Sequence, residues 1–572
     1  MTTIQTQLGV MIAMRDGVRL ASDVFVPQGV GPVPAIVVRT PYDRTATSLV
    51  NLRFDVLRAV ARGYAVVTQD TRGRFASEGT FAPFASEGPD GADTIAWVRA
   101  QPWCDGKVGM AGGSYLGVTQ WAAATHGSQP PPDAIAPFTT GSSAYDGWAY
   151  QGGAFQLGFN LNWALTSLAL GEASRRRARG EDVAESVAAL VRAADDCDET
   201  YRRLPLTDVP ELADLAPYYL DWLDHPGYDE YWKAQGPVFD ASDVRVPALN
   251  AGGWFDIFLK GTLENYRRGC ERDPDAARLV IGPWAHLATG GMYPETSFGL
   301  TSGTDGMDMN GLQLAWFDSR LKGVRDDTAP VRIFVMGVDR WRDEDVWPLP
   351  RAVPTRFHLR STGRAAVDAG DGALTLEPPG DEPEDVYLYD PRDPVPTLGG
   401  PTYLPGLAIA ANSGPRDQRV IETRSDVLTY TTEPLDEPLE VTGPVTVVLY
   451  AASSAVDTDF TAKLIDVWPD GRAMSLVDGI VRARYRDSPT DPVLMEPGTV
   501  HAFEIDLIAV SQVFGAGHRI RVDVSSSNFP RFDRNPNTGE AIVGGLDATV
   551  PAVNRIFHSA PYPSHIVLPL VR

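Results

Sequence analysis

The tightest constraint on this chain is a stretch that passes from apolar strand to glycine, to serine, and into helix formers within about a dozen residues. Residues 107–112 read Lys-Val-Gly-Met-Ala-Gly, and the next positions are Gly113, Ser114, Tyr115, Leu116 and Gly117. A strand that ends on small residues and hands over directly to a helix makes a sharp turn, and a serine at its apex holds its hydroxyl clear of the backbone. Gly112 and Gly117, two before and three after the serine, let strand and helix approach closely. The usual spacing puts the second glycine two after the serine, so this is a variant of the motif.

The flanking pattern supports such a turn. Residues 33–40 and 64–70 are short apolar runs typical of buried parallel strands, and residues 91–100 form a crossover helix between the last of these and 107–112. This β-α-β rhythm implies a parallel sheet covered on both faces. From about residue 141 to 242 the pattern becomes helical, with Val183, Val187, Leu190, Val191 and Ala194 on one face. Strands resume at 246–253, 278–282 and 331–336. Beyond about residue 349 helical periodicity disappears, and strand-like runs at 445–450, 460–467, 501–507 and 518–524 alternate with turns such as Pro469-Asp470-Gly471. The expected architecture is α/β. An α/β-hydrolase core (1–140 and 243–349) is split by an inserted helical cap domain (141–242) and followed by a C-terminal β jelly-roll domain (350–572).

Composition narrows the function. The 50 Lys+Arg against 74 Asp+Glu leave a net charge of −24, which disfavours nucleic acid because phosphate contacts need clustered cations. The single basic cluster, Arg175-Arg176-Arg177-Ala178-Arg179, is expected to be a solvated helix end. No apolar run of about 18 residues suggests a membrane span, and the first ten residues lack a basic segment followed by an apolar core. With three scattered cysteines (Cys104, Cys197, Cys270) read as ordinary buried thiols, the expectation is a cytoplasmic protein without disulfides or zinc.

A serine nucleophile needs a base, and the base needs an orienting group. In this fold the chain order is Ser, acid, His. Of eight histidines, His126 lies in the helix after the serine, His225 in the insert, and His358, His501, His518, His558 and His565 in the β-rich half. Only His286, in Gly282-Pro-Trp-Ala-His286, closely follows a resumed strand. Asp256, in Ala251-Gly-Gly-Trp-Phe-Asp256, is the carboxylate in the preceding loop. The oxyanion of acyl transfer requires aimed donors. The Tyr115 N–H is the first, and Tyr42, in the loop Arg39-Thr-Pro-Tyr-Asp-Arg44, has a phenolic O–H that either supplies the second or simply packs. Asp533–Gly539 imitates a calcium loop with its glycine misplaced, and Asp457-Thr-Asp459 lacks a ligand set, so both are expected to be turns. No metal or cofactor is implied.

Met14-Arg-Asp-Gly-Val-Arg19, Asp70-Thr-Arg-Gly73, Gly-x-Ser114-Tyr-Leu-Gly, Trp254-Phe-Asp256 and Gly282-Pro-Trp-x-His286 together resemble the family of X-prolyl dipeptidyl-peptidases and α-amino-acid ester hydrolases, and most of all its cocaine-esterase branch. The likeness continues through residues 456–463, Ser525-Ser-Ser-Asn-Phe-Pro530 and Val553-Asn-Arg-Ile556. It implies Ser114 as nucleophile, His286 as general base, Asp256 as orienting acid, and Tyr42 with the Tyr115 N–H as oxyanion donors. It also implies an aromatic acyl pocket holding a benzoyl-type group, with Trp148, Trp163 and Phe258 at the matching positions. The chain departs from the esterases at Gly113, at Thr166 and after Leu398-Gly-Gly400, where Tyr403 and Leu404 take the place of a pocket wall. The expected substrate is a small-molecule ester, and exposed strands of the jelly roll allow a homodimer. An aminopeptidase or amino-ester hydrolase is the alternative and would need carboxylates facing a substrate ammonium. A catalytically silent binding protein on the same fold is a third.

Overall fold

The computed structural model describes residues 3–46, 54–125, 131–235, 244–368, 370–403, 412–540 and 545–572. Its first sheet has ten strands. β1 (Ile4–Ala13) and β2 (Arg19–Pro27) form an antiparallel ribbon that joins β4 (Ala65–Asp70). Next in space come β3 (Val33–Thr40), β5 (Cys104–Gly113), β6 (Ala134–Phe138), β9 (Ala248–Phe255), β10 (Ala277–Ala285), β11 (Val331–Val335) and β12 (Arg340–Glu344). From β4 to β11 every pairing is parallel, and β12 closes the edge antiparallel. These central strands are buried on both faces, which explains their continuous apolar sequences. Helices Glu87–Arg99 and Tyr115–Thr125 cover one face, and Met309–Lys322 packs against the other through Trp316 and Phe317.

Between β6 and β9 the chain forms the cap. It is mostly helical, but it opens with a short hairpin, β7 (Tyr150–Gln151) and β8 (Ala154–Phe155), that periodicity did not suggest. Helix Leu157–Trp163 runs through a π-helical turn, Ala164–Ala169, into helix Leu170–Ala178. The arginine cluster does end that helix, but it is not wholly solvated. Arg175 is buried, donating to the Gly79 carbonyl at 2.8 Å and pairing with Glu172, while Arg176 bridges Glu172 and Asp214. The cysteines also differ from expectation: Cys104 is buried, whereas Cys197 and Cys270 are only half-buried.

A second, largely antiparallel sheet of twelve strands starts at Ala352 and includes Leu439–Ser453, Asp459–Val467, Ala473–Arg482, His501–Phe514 and Arg519–Ser525. His501–Phe514 pairs with Leu439–Ser453 and packs across Asp459–Val467, so the sheet folds over an apolar interior, with the Phe460 and Phe503 rings 4.6 Å apart. The two calcium-like stretches are ion-paired instead: Arg482 bridges Asp459 and Asp533, and Arg484 takes Asp457.

Candidate active site

Every polar residue singled out for chemistry lies just beyond the carboxyl end of a parallel strand, where open α/β sheets gather their functional groups. Ser114 follows β5 directly, with φ of 59°, and helix Tyr115–Thr125 begins at the next residue. This left-handed conformation is strained for a serine. It is held by the Ser114 N–H donating to the Phe138 carbonyl at 2.9 Å and by the Ser114 carbonyl accepting from Gly117 at 2.8 Å. The glycines have the spatial role their spacing suggested. A β-carbon at Gly112 would lie 2.6 Å from Leu116 Cβ, and one at Gly117 would lie 2.6 Å from Thr140 Cβ.

Asp256 follows β9 and His286 follows β10, and the pairing of these strands brings the two side chains together across thirty residues of sequence. His286 Nε2 is 3.0 Å from Ser114 Oγ, and His286 Nδ1 is 3.0 Å from Asp256 Oδ2. Asp256 is fully buried and its other oxygen accepts from the Phe258 N–H at 2.7 Å. The carboxylate is thereby fixed before it meets the imidazole, and the imidazole in turn faces the serine.

Tyr42 sits on the loop after β3 with the Ser114 hydroxyl close by, its phenolic oxygen accepting from Trp163 Nε1 at 3.0 Å. Burial pushes its phenol well above the ordinary value, so it keeps its proton and can donate it. Its loop is pinned by Arg44, whose N–H and guanidinium both reach Asp70, at 2.7 and 2.6 Å. Tyr115 is the first helical residue, so its N–H has no intrahelical acceptor. Its buried phenol donates to Glu87 and accepts from the Phe84 N–H, which turns the ring away and fixes the backbone.

Aromatic rings surround these groups. Trp148 stacks on Phe258 at 4.3 Å, Trp163 lies parallel to Trp222 and to Phe159 at 5.7 Å, and Phe258 meets the His286 ring edge-on at 5.1 Å. Tyr403, from the segment after Gly400, closes the cluster edge-on to Phe159 and to His286, each at 5.5 Å, and burial pushes its phenol up to about 12. Leu404 lies outside the described residues. Thr166, where an apolar residue was expected, turns its hydroxyl to the Asn162 carbonyl at 2.8 Å within the π-turn. Sequence reasoning did not single out Phe159 or Trp222, aromatic positions on cap helices that read equally well as core.

Among the described residues no cluster of three or more His, Cys, Asp or Glu side chains is arranged for a metal ion, and no helix is long and apolar enough to cross a membrane.

Fold and site together define a serine hydrolase on an α/β-hydrolase core with a C-terminal β-rich domain. Residues 16–288 match the X-Pro dipeptidyl-peptidase (S15 family) and residues 322–567 match the X-Pro dipeptidyl-peptidase C-terminal non-catalytic domain, and the chain belongs to this family. It is 45% identical to the cocaine esterase of Rhodococcus sp. (strain MB1 Bresler) over 580 residues, 98% of each chain. Among solved structures it is similar to an aminopeptidase from the marine sediment archaeon Thaumarchaeota archaeon (TM-score 0.82, 28% identity, 100% of this chain and 96% of that one). It is also similar to an α-amino acid ester hydrolase (TM-score 0.79, 27% identity, 100% and 97%).

Proposed function

We propose that the enzyme hydrolyses carboxylic esters bearing an aromatic, benzoyl-type acyl group through an acyl-enzyme on Ser114. Ser114 Oγ attacks the ester carbonyl while His286 Nε2 takes its proton, and Asp256 holds the imidazole in the tautomer that can accept it. The carbonyl oxygen becomes an oxyanion between the Tyr42 O–H and the Tyr115 N–H. Collapse expels the alcohol, which recovers the proton from His286. Water then repeats the sequence on the acyl-enzyme, releasing the acid and restoring Ser114.

The observation that carries this reading is the make-up of the surround: Trp148, Phe159, Trp163, Phe258 and Tyr403 form one aromatic cluster, with Phe258 and Tyr403 against the His286 ring and Trp163 on the Tyr42 hydroxyl. The likeness to a cocaine esterase over nearly the whole chain supports the same choice. A second reading, cleavage next to a free α-amino group, is favoured by the structural likeness to the aminopeptidase and the amino-acid ester hydrolase. Such a site must attract an ammonium. Here a cation, Arg74, is close enough to act on the Tyr42 phenol, which disfavours a second cation beside it.

The test is a paired assay of wild type and Ser114→Ala on a benzoyl ester and an X-Pro anilide at matched concentrations. Ser114-dependent preference for the benzoyl ester is expected. Preference for the anilide, or a requirement for a free amine, would transfer the protein to the second reading.

A further inference from the structure

Two arginines are among the largest fully buried side chains, Arg39 and Arg74. Removing a cation from water costs several kcal/mol, and proteins normally offset that with a carboxylate. Arg39 follows the rule, with Glu87 at 3.0 Å and Asp90 at 4.0 Å. Arg74 does not: among the described residues no carboxylate forms an ion pair with it. Its guanidinium instead donates to three backbone carbonyls, of Pro41 at 3.0 Å, Leu168 at 3.0 Å and Ser167 at 3.1 Å, and lies over the Phe75 and Phe81 rings.

The identity of those carbonyls matters. Pro41 immediately precedes Tyr42. Ser167 and Leu168 belong to the π-turn that follows Trp163, and the Trp163 indole donates to the Tyr42 phenolic oxygen at 3.0 Å. The residue before Tyr42 and the turn after its hydroxyl partner Trp163 are therefore tied to one guanidinium. The Ser167 carbonyl also accepts from the Leu170 N–H, so Arg74 is a second donor to it. The positive charge, uncancelled by an ion pair, acts on the phenol in the direction that eases loss of its proton, opposing the effect of burial. A donor polarised in this way gives a stronger hydrogen bond to an oxyanion than to a neutral carbonyl.

We propose that Arg74 is a positioning residue for the oxyanion donor: its buried guanidinium, in no ion pair among the described residues, clamps the Tyr42 loop to the π-turn of the cap and adds positive potential at the phenol, favouring the transition state over bound ester. The proposal rests on the reading of Tyr42 as oxyanion donor. A unit charge within about 10 Å at an effective dielectric near 20 is worth roughly a factor of 10 to 100 in rate.

The experiment measures kcat and KM for a benzoyl ester in Arg74→Met, Arg74→Lys and Gly171→Ala, each alone and combined with Tyr42→Phe, with thermal melting of each. Gly171→Ala reaches the same group without removing it, because a β-carbon there would lie 2.0 Å from an Arg74 terminal nitrogen. It also tests the proposal if Arg74→Met does not fold, since alanine suits the helix Leu170–Ala178. The expected result is a loss in kcat of about 10- to 100-fold in Arg74→Met and a smaller loss in Gly171→Ala, with KM little changed. Arg74→Lys should restore much of the rate, and none of the changes should cost more than about threefold once Tyr42 is already Phe. Losses that persist undiminished in the Tyr42→Phe background, or a lysine no better than methionine, would overturn the role of Arg74. Near-normal turnover of Tyr42→Phe alone would instead overturn the assignment of Tyr42, which separates the two failures.

Discussion

Asp256→Asn separates the charge of the buried acid from its shape. The two carboxylate oxygens have different partners: Oδ1 accepts the Phe258 N–H at 2.7 Å, and Oδ2 lies 3.0 Å from His286 Nδ1. An asparagine has one acceptor end and one donor end. Turning its NH2 toward the Phe258 N–H would set donor against donor in a fully buried site, at about 1–3 kcal/mol for each unmade bond. The carbonyl therefore stays on Phe258 and the NH2 faces Nδ1. His286 must then accept at Nδ1 and carry its proton on Nε2, where it confronts the Ser114 hydroxyl at 3.0 Å and cannot take its proton. Losing the base tautomer, together with the charge that stabilises the imidazolium, costs about 10⁴ in kcat in triad enzymes, or roughly 5.5 kcal/mol of barrier. Stopped-flow release of the alcohol from an aryl benzoate gives the acylation rate, and thermal melting checks the fold. An acylation rate within tenfold of wild type, in a variant that melts normally, would refute the tautomer argument.

Three further outcomes follow from the geometry. Because burial holds the Tyr42 phenol well above its ordinary value near 10, the proton it donates should survive at alkaline pH. The plot of kcat against pH should stay level to about pH 10 and not fall there, and an alkaline limb near 10 would contradict the burial argument. Phe258→Leu keeps an apolar side chain but removes the ring stacked on Trp148 at 4.3 Å, so the ratio of kcat/KM for benzoyl over acetyl esters should drop about three- to tenfold, and an unchanged ratio would place the acyl group elsewhere. Arg482→Met leaves Asp459 and Asp533 buried without their cation and should cost about 3–5 kcal/mol in urea unfolding.

The parts of the molecule that could be read in advance are those where local pattern and tertiary environment coincide. Central strands such as Val33–Thr40 are buried on both faces and so show as unbroken apolar runs. Ser114, Asp256 and His286 were legible because each sits at the end of such a run. The ribbon β1–β2 was missed because β1 is largely exposed, with Leu8 pointing outward, and offers no buried periodicity. The crossover helix starts at Glu87, four residues before the expected Gly91. Glu87, Gly88, Pro89 and Asp90 look like a loop in sequence, but Glu87 and Asp90 are buried and satisfied by arginines, Arg39 and Arg72 respectively. Arg74 was beyond reach for a related reason. Its partners are backbone carbonyls, which every residue possesses, and no side-chain pattern announces them.

The C-terminal domain contributes to this site mainly through the cap, with one ring set against the triad histidine. The hairpin β7–β8 that opens the cap is tied down from that domain: the Phe155 N–H donates to Asp533 at 2.7 Å, the Arg482 N–H donates to the Gly152 carbonyl at 2.8 Å, and Arg531 reaches Gln151 at 3.3 Å. Two residues beyond the hairpin begins helix Leu157–Trp163, which carries Phe159 into the aromatic cluster and Trp163 onto Tyr42. Asp533 and Arg482 thus join the folded sheet of one domain to the helix that carries Phe159 and Trp163. Tyr403 supplies a further ring from the same domain, against Phe159 and His286. A change in these contacts moves aromatic rings and leaves Ser114, His286 and Asp256 on their own strand ends. On the proposed reading of this aromatic cluster as an acyl pocket, acyl-group preference is therefore expected to respond to changes in the β-rich domain while the hydrolytic chemistry stays at the strand ends of the parallel sheet.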